Sequence, residues 1–491
     1  MSFAVQAQTR LQPTLDAEAV FTSNGNFNAI GPKQRDTVLT VSPGLNVNVV
    51  GANSSLIGQW QFKATHSFQG LQPDSVIPSG NLKLHTDVNR SGAGLDASLG
   101  SAQVASTLAT SNAGTVSVSN QYTNTEWRLS PYFTRALDER TVLSARLTRG
   151  LQQTSQVDNT LASRPDAHLR DDSISLTQQP APLGYTVSRA WQSTRSAGQA
   201  DPVLSTDSSK AIVRYALNTE LVLGVQTGVE RIQAYPTRFV DHPTGLLLDW
   251  HPSERSSIAS GLQQREFGRA WQLAIHHRTP WMAASIQADR GPTTSLFTIG
   301  SVGSGGSARD LFDAMLTTRI PDAQDRAAAV DSLLTSRNIP TQLNGSRDFY
   351  SLTAQLRQTV NGRFVLMGRR DTWLNQAGLI KTSPLDTGTS SDPLSLTDPR
   401  HTRQYYVESQ LTHQLTTVSS LTGGLRWTRA REQVPGNDPS VSRDFTWRVS
   451  LSTNMARDTT ATIGLRRVLK HSAASSSSDE AALFMGLGHR F

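Results

Sequence analysis

This chain of 491 residues predicts an all-β fold, a transmembrane antiparallel up-and-down β-barrel with a short helical hairpin inserted in a long loop. About 22 strands are expected, within a range of roughly 18 to 24. Three observations lead there. Apolar and polar residues alternate with period two over segments of about ten residues, longer than the strands of a soluble sandwich. Short turns alternate with long polar loops, as in barrels of the outer membrane. No stretch approaches the ~18 consecutive apolar residues of a helical span, so any bilayer crossing must use a closed barrel.

Composition agrees with a barrel and excludes several function classes. Hydrophobic residues make up 37 % of the chain. Such a low fraction suits a disordered or surface-heavy chain as well as a barrel in which only alternate strand residues meet lipid, so composition leaves both open and periodicity decides. Cys is absent, which removes a disulfide scaffold, thiolate zinc ligands and a thiol nucleophile. The net charge of +7 is carried almost wholly by Arg. No basic run with regular aromatic interleaving marks a nucleic-acid surface, so no nucleic-acid partner is expected.

From the N-terminus, Val5-Gln6-Ala7 before Gln8 is similar to the small-x-small end of a secretory signal. Residues 1–10 are expected to be the remnant of a leader, and residues 11–491 a single barrel. Strand patterns follow. Trp60, Phe62 and Ala64 oppose Gln59, Gln61 and Lys63; Leu143, Ala145 and Leu147 oppose Ser144 and Arg146. Trp271, Leu273 and Ile275 oppose Gln272 and His276; Leu421, Leu425 and Trp427 oppose Thr422, Gly424 and Arg426. Phe445, Trp447, Val449 and Leu451 oppose Thr446, Arg448 and Ser450. Short turns are expected at Leu137–Arg140, Asn218–Glu220, Pro252–Arg255, Asn361-Gly362 and Ala456–Thr459. Long loops are expected near 151–172, 195–208, 291–346, 375–402, 432–443 and 471–480. An even count places Thr14–Thr22 beside the last strand, closing both edges.

Residues 300–340 break the alternation. Ser307 followed by Asp310 reads as a capping box, with Leu311, Phe312, Met315 and Leu316 at helical spacing behind it. Pro321-Asp322 opens a second helix whose stripe is Ala327, Val330, Leu333 and Leu334. Such a pair must bury its stripe, so a lid or plug over or in the lumen is the expectation, with Leu311, Phe312, Met315, Leu316, Val330, Leu333 and Leu334 as plug or gate residues.

No catalytic constellation emerges. Gly300, Gly303, Gly305 and Gly306 lack the Gly-Lys-Ser/Thr of a phosphate loop, and neither a Gly-x-Ser-x-Gly elbow nor a His-Glu-x-x-His helix occurs. Adjacent His276 and His277 point to opposite faces of a strand. Asp386, Asp392 and Asp398 do not match an EF-hand. The expectation is therefore no catalytic residues, no metal, no cofactor and no enzyme. More informative are Arg146, Arg214, Arg426, Arg448 and Arg466, which stand on the polar face with Gln226 and Glu230 as candidate lumen-lining residues. A positive lumen concentrates acidic solutes. Alternatively, lumen Arg and Glu pair into a wall network, and residue spacing leaves both readings open.

The last residues, ALFMGLGHRF, form a strand pattern that ends on an aromatic. Leu483, Met485, Leu487 and Phe491 would face lipid and resemble the assembly signal of outer-membrane barrels. His489 would lie at the interface, while Phe484 and Arg490 would face inward.

Three stretches, Leu11–Asn28, Val41–Val49 and above all Leu311–Ser351, resemble the PEP-CTERM-system-associated outer-membrane β-barrel family, found with exopolysaccharide loci. Ser23 departs from the Asp of that family's first turn. The resemblance implies a Gram-negative outer-membrane protein linked to export of an extracellular polysaccharide and to biofilm matrix. The expected function is a porin-like channel for exopolysaccharide. Its partners would be outer-membrane lipid, the polysaccharide as cargo, the barrel-assembly machinery, and periplasmic or inner-membrane export proteins. The alternatives are a non-conducting structural or interaction barrel that anchors a polysaccharide-biosynthesis or surface assembly, and a lipid- or glycan-modifying enzyme.

Overall fold

The computed structural model describes residues 8–25, 27, 32–88, 92–105, 121–156, 166–197, 204–234, 237–294, 308–337, 339, 354–384, 401–434, 436, 438–456, 458–472 and 477–491. Every described strand joins one antiparallel sheet. The first, β1 (Gln8–Thr22), pairs with the last, β23 (Ser478–Arg490), over Thr14–Thr22 against Ala482–Arg490. Both potential edges thereby disappear. β11 (Leu221–Ala234) is met in succession by short β12 (Thr237–Asp241) and by β13 (Thr244–Ser253), which together make one wall strand. The wall is thus a closed barrel of 22 strands.

Exposure is inverted relative to a soluble protein. Leu246, Leu425, Leu465 and Leu487 are each at least half exposed, whereas Gln152, Thr194 and Glu480 are fully buried. Apolar side chains cover the outside at every second position, which only a hydrocarbon surrounding makes favourable. Inside, hydroxyls bond across neighbouring strands, as in Ser144–Ser175 (2.7 Å), Thr382–Thr402 (2.5 Å) and Ser452–Thr462 (2.9 Å). Large inward rings settle on glycines of the adjacent strand: Tyr132 over Gly94, Tyr406 over Gly378 and Phe484 over Gly464. A Cβ at Gly378 would lie 2.5 Å from the Tyr406 ring, so the missing side chain is what lets the ring lie against the wall.

The two rims differ. Chain ends and short turns share one rim, the periplasmic one for barrels of this type. There one construction recurs: the side-chain oxygen of Asp138, Asn218, Thr279 or Thr416 accepts the N–H groups two and three residues later. These local bonds close the turn without help from the rest of the fold. Backbone bonds also hold the carboxyl of Asp138 below the usual carboxylate range.

Several expected boundaries move. Asn361 and Gly362 do not form a turn; they lie within β17 (Ala354–Met367), paired with Gln287 and Ile286 on one side and Gly378 and Ala377 on the other. The turn follows at Gly368–Arg370. β18 runs from Asp371 to Pro384, taking in the first ten residues of the loop expected over 375–402. β7 (Thr141–Gln156) and β8 (Ala167–Gln178) likewise narrow the loop expected over 151–172. The wall also begins at Gln8 rather than Leu11, since Gln8–Arg10 pair with Asn48–Val50. Most strands are 13–17 residues long, more than the nine to eleven that cross a bilayer. They therefore stand proud of the membrane, and their polar upper ends read as loop in sequence.

Candidate functional site: the lumen and its docked helices

The wall strand β16 (Met282–Thr294) ends on the long-loop rim, and β17 starts again there. Between them stand α1 (Ala308–Leu316) and α2 (Ala323–Ser336). Asp322 caps α2 by accepting the Asp325 N–H at 2.9 Å. Neither helix is long and apolar enough to cross a membrane. Leu311, Phe312, Met315, Leu316, Val330 and Leu334 form one cluster with Ala283 of β16, Val365 of β17 and Leu374 of β18, while Leu333 and Met367 pack against it. Phe312 and Val330 are fully buried. Ala283, Val365 and Leu374 occupy cross-strand partner positions on the inner face, close to the short turns. The described helices therefore pack inside the bore at the short-turn rim, a full strand length from the loop that carries them.

Polar contacts hold them there. Arg337 donates to Thr372 Oγ1 at 2.6 Å and to the Asp371 carbonyl at 3.3 Å. Arg278 Nη1 donates to the Ala314 carbonyl at 3.4 Å, and the Arg319 guanidinium lies 4.9 Å from the Trp281 ring centre. Between the helices, Arg309 pairs with Asp331 and Arg326 with Asp313 (2.8 Å). Sequence reasoning missed Arg278, Arg319 and Arg337, because their partners lie on other elements: Ala314 on α1, Trp281 in a turn, and Asp371 and Thr372 at the start of β18.

The described helices pack on one side of the wall. Beside α1 lies a cavity of about 620 Å³ whose lining includes Arg255, His276, Arg278, Asp310 and Arg363. It continues along the wall into a second space of about 460 Å³ lined by Arg214, Asp249, Gln272 and Asp289. Both are grooves with mixed polar and apolar linings. A 22-strand wall leaves a bore too wide for wall side chains to fill.

The other sequence-derived lumen residues stand on this inner face in different settings. Arg146 pairs with Asp96 at 2.6 Å and lies over Tyr132 at 5.1 Å; His85 joins the same group through Asp96 at 2.7 Å. Arg214 donates to Thr186 Oγ1 at 2.7 Å. Gln226 is half-buried on β11, two residues from Gly224 and opposite Gly245 of β13. Glu230 is buried with Asp241 around Arg265, which donates to each at 2.5 Å. Arg426 faces Glu408 across the β19 (His401–Gln414) and β20 (Ser419–Gln433) pair. The Arg448 guanidinium lies 4.0 Å from the Phe484 ring centre, and Arg466 donates to Glu480 at 2.9 Å. The wall thus neutralises part of its own charge. His85, Asp96, Arg265 and Glu480 were not singled out from sequence, although each sits at a period-two inner position.

At the seam, Met485, Leu487 and Phe491 are exposed on the outer face and Leu483 is half-buried there. The Phe491 N–H donates to the Pro13 carbonyl at 2.9 Å, and His489 bonds Thr459 and meets the Phe491 ring edge-on. Phe484 is buried inward with Val20 and Ala482. Ser23 continues the β1–β23 pairing, exchanging bonds with Ala481. Ser307, the glycines 300–306 and Asp386, Asp392 and Asp398 lie outside the described residues.

The chain is an outer-membrane β-barrel. No family model and no curated protein matches it. Among solved structures it is similar to the siderophore receptor PirA from Acinetobacter baumannii, with 10 % identity, TM-score 0.49, and 99 % of this chain and 81 % of that chain covered. It is also similar to OccK9 (OpdG) from Pseudomonas aeruginosa, with 9 % identity, TM-score 0.37 and both chains covered over 100 %. A third similar structure is Acinetobacter baumannii OccAB2, with 8 % identity, TM-score 0.36 and 98 % of each chain covered.

Proposed function

We propose that this outer-membrane barrel is a channel through which an extracellular polysaccharide leaves the cell, with the α1–α2 pair as a gate at its periplasmic mouth. The observation that carries the reading is the docked helix pair, whose apolar stripe is buried on the lumen wall at the short-turn rim beside an Arg-bearing groove. Polymer transit needs many weak, replaceable contacts, because tight ones would stop it. Inward hydroxyls, amides and guanidiniums offer such contacts to sugar hydroxyls and acidic groups. Energy would come from inner-membrane partners. Displacing the pair toward the bore axis would narrow the path, and holding it against β16–β18 would widen it.

Planar-bilayer recording tests this. The protein is expected to conduct ions, to conduct more after deletion of residues 300–340, and to show current block when the polysaccharide is added from the periplasmic side. Absence of current even after the deletion would refute a channel. Current without polymer block would remove the polysaccharide while leaving the channel. A second reading, a permanently plugged barrel that anchors a surface assembly, draws support from the complete burial of Phe312 and Val330. It requires that the intact chain not conduct.

A further inference from the structure

On the outer face at the long-loop rim, the sheet register sets cations directly beside one another. Lys381 of β18 is opposite Arg403 of β19, which is opposite Arg431 of β20. One step along, Arg429 of β20 is opposite Arg443 of β21 (Ser440–Ala456), which is opposite His471 of β22 (Thr459–Ser472). All six are exposed. Like charges directly across a ladder repel and destabilise the pairing, so this run of cations calls for counter-ions.

The wall does not supply them here, though it does elsewhere. On β7 to β11 the outward arginines carry carboxylates within the sheet: Asp172 serves Arg149 and Arg170, and Asp207 serves Arg189 (3.2 Å) and Arg231 (3.9 Å). On β18–β21, by contrast, Arg403 lies over the Tyr405 ring at 5.0 Å. Among the described residues, Lys381, Arg403, Arg429, Arg431 and Arg443 have no carboxylate partner. Asp479, on the same face of β23, is already taken by Lys33 and by Arg467 (3.4 Å).

Beneath the cations the same face turns apolar at once. The row next toward the membrane is Val407, Trp427, Phe445 and Leu469, consecutive cross-strand partners and all exposed. A molecule that satisfies both levels needs acyl chains below and anionic groups directly above, at the depth of the outer-leaflet headgroups. Arg forks suit phosphate oxygens, which they bind bidentately.

We propose that this strip is a binding site for a phosphorylated glycolipid of the outer leaflet. Headgroup phosphates would lie among Lys381, Arg403, Arg429, Arg431 and Arg443, and acyl chains against Trp427, Phe445 and Leu469. The site lies outside the bore, so it does not depend on what the bore passes. It would anchor the β18–β22 side of the wall in the membrane and fix the barrel's height there.

The test measures lipid retention by the purified full chain, using native mass spectrometry and equilibrium binding in detergent with two probes: bis-phosphorylated lipid A and the same lipid with its phosphates removed. The wild type is expected to hold the phosphorylated lipid and to bind the dephosphorylated one at least about tenfold more weakly. A variant carrying Arg403→Gln, Arg429→Gln and Arg443→Gln is expected to lose the phosphorylated lipid to a similar or greater extent. Arg149→Gln with Arg189→Gln, where the wall supplies carboxylates, should leave retention unchanged. Heat-modifiable gel mobility reports whether each variant is folded. Equal binding of the two lipids by the wild type would overturn the proposal without any variant. Undiminished retention by the folded triple variant would overturn it as well.

Discussion

Replacing Phe312 with Ala tests whether an apolar stripe holds the helix pair in the bore. Phe312 is fully buried in a cluster that joins both helices to Ala283, Val365 and Leu374. Truncating a buried Phe to Ala costs about 3–5 kcal/mol, counting lost transfer energy and the cavity left behind. At about 1.4 kcal/mol per tenfold, the docked-to-undocked ratio should fall by roughly two to three and a half orders of magnitude. The barrel itself should stay folded, because Phe312 takes no part in a strand ladder. Two readouts follow. Limited proteolysis in detergent should cleave Phe312→Ala within residues 308–337 much faster than wild type, and single-channel current should shift toward the level of the chain lacking residues 300–340. Phe68→Ala, at a side chain that is 60 % exposed, is the control and should change neither. Cleavage and current identical to wild type in Phe312→Ala would refute the idea that this stripe docks the pair.

Three further outcomes are expected from the wall. Gly378→Val should destabilise the barrel by about 1–3 kcal/mol, because the new side chain meets the Tyr406 ring. Combining it with Tyr406→Ala should recover part of that loss in a double-mutant cycle read by urea unfolding, whereas strict additivity would show that the ring and the glycine are not coupled. Arg265→Ala leaves Glu230 and Asp241 buried without their cation and should cost about 3–5 kcal/mol in the same assay. A loss under ~1 kcal/mol would mean that water replaces the guanidinium. Removing Phe491 should lower membrane insertion in cells, since the residue closes the seam through its bond to Pro13. Unimpaired insertion would count against an assembly role for the terminal aromatic.

Alternation with period two is a local property, so the barrel class, the approximate strand number and the pairing of Thr14–Thr22 with the C-terminal strand were legible in the sequence alone. So were the turns at Asp138 and Asn218, where one side chain closes its own turn through nearby N–H groups. Local signals also misled. Asn361-Gly362 has the composition of a hairpin turn, yet it lies within β17 because both neighbouring strands pair with it. The polar upper ends of β7, β8 and β18 read as loop because a strand that leaves the membrane no longer needs an apolar face.

What only the tertiary structure decided depends on register between strands and on contacts across the bore. The helical stripe was visible as a need for burial, but its partners Ala283, Val365 and Leu374 come from three strands at the far rim of the carrying loop. Lumen arginines were visible one by one. That Arg146 meets Asp96 and Arg466 meets Glu480, while Arg448 lies on Phe484, follows from which strands lie side by side. The outward cation run is the clearest case. Arg403, Arg429, Arg431 and Arg443 are single residues on separate or alternate strand positions, and their repulsion exists only once the ladders align them. Alternation records which face a residue takes, whereas the neighbour on that face is set by the closed sheet.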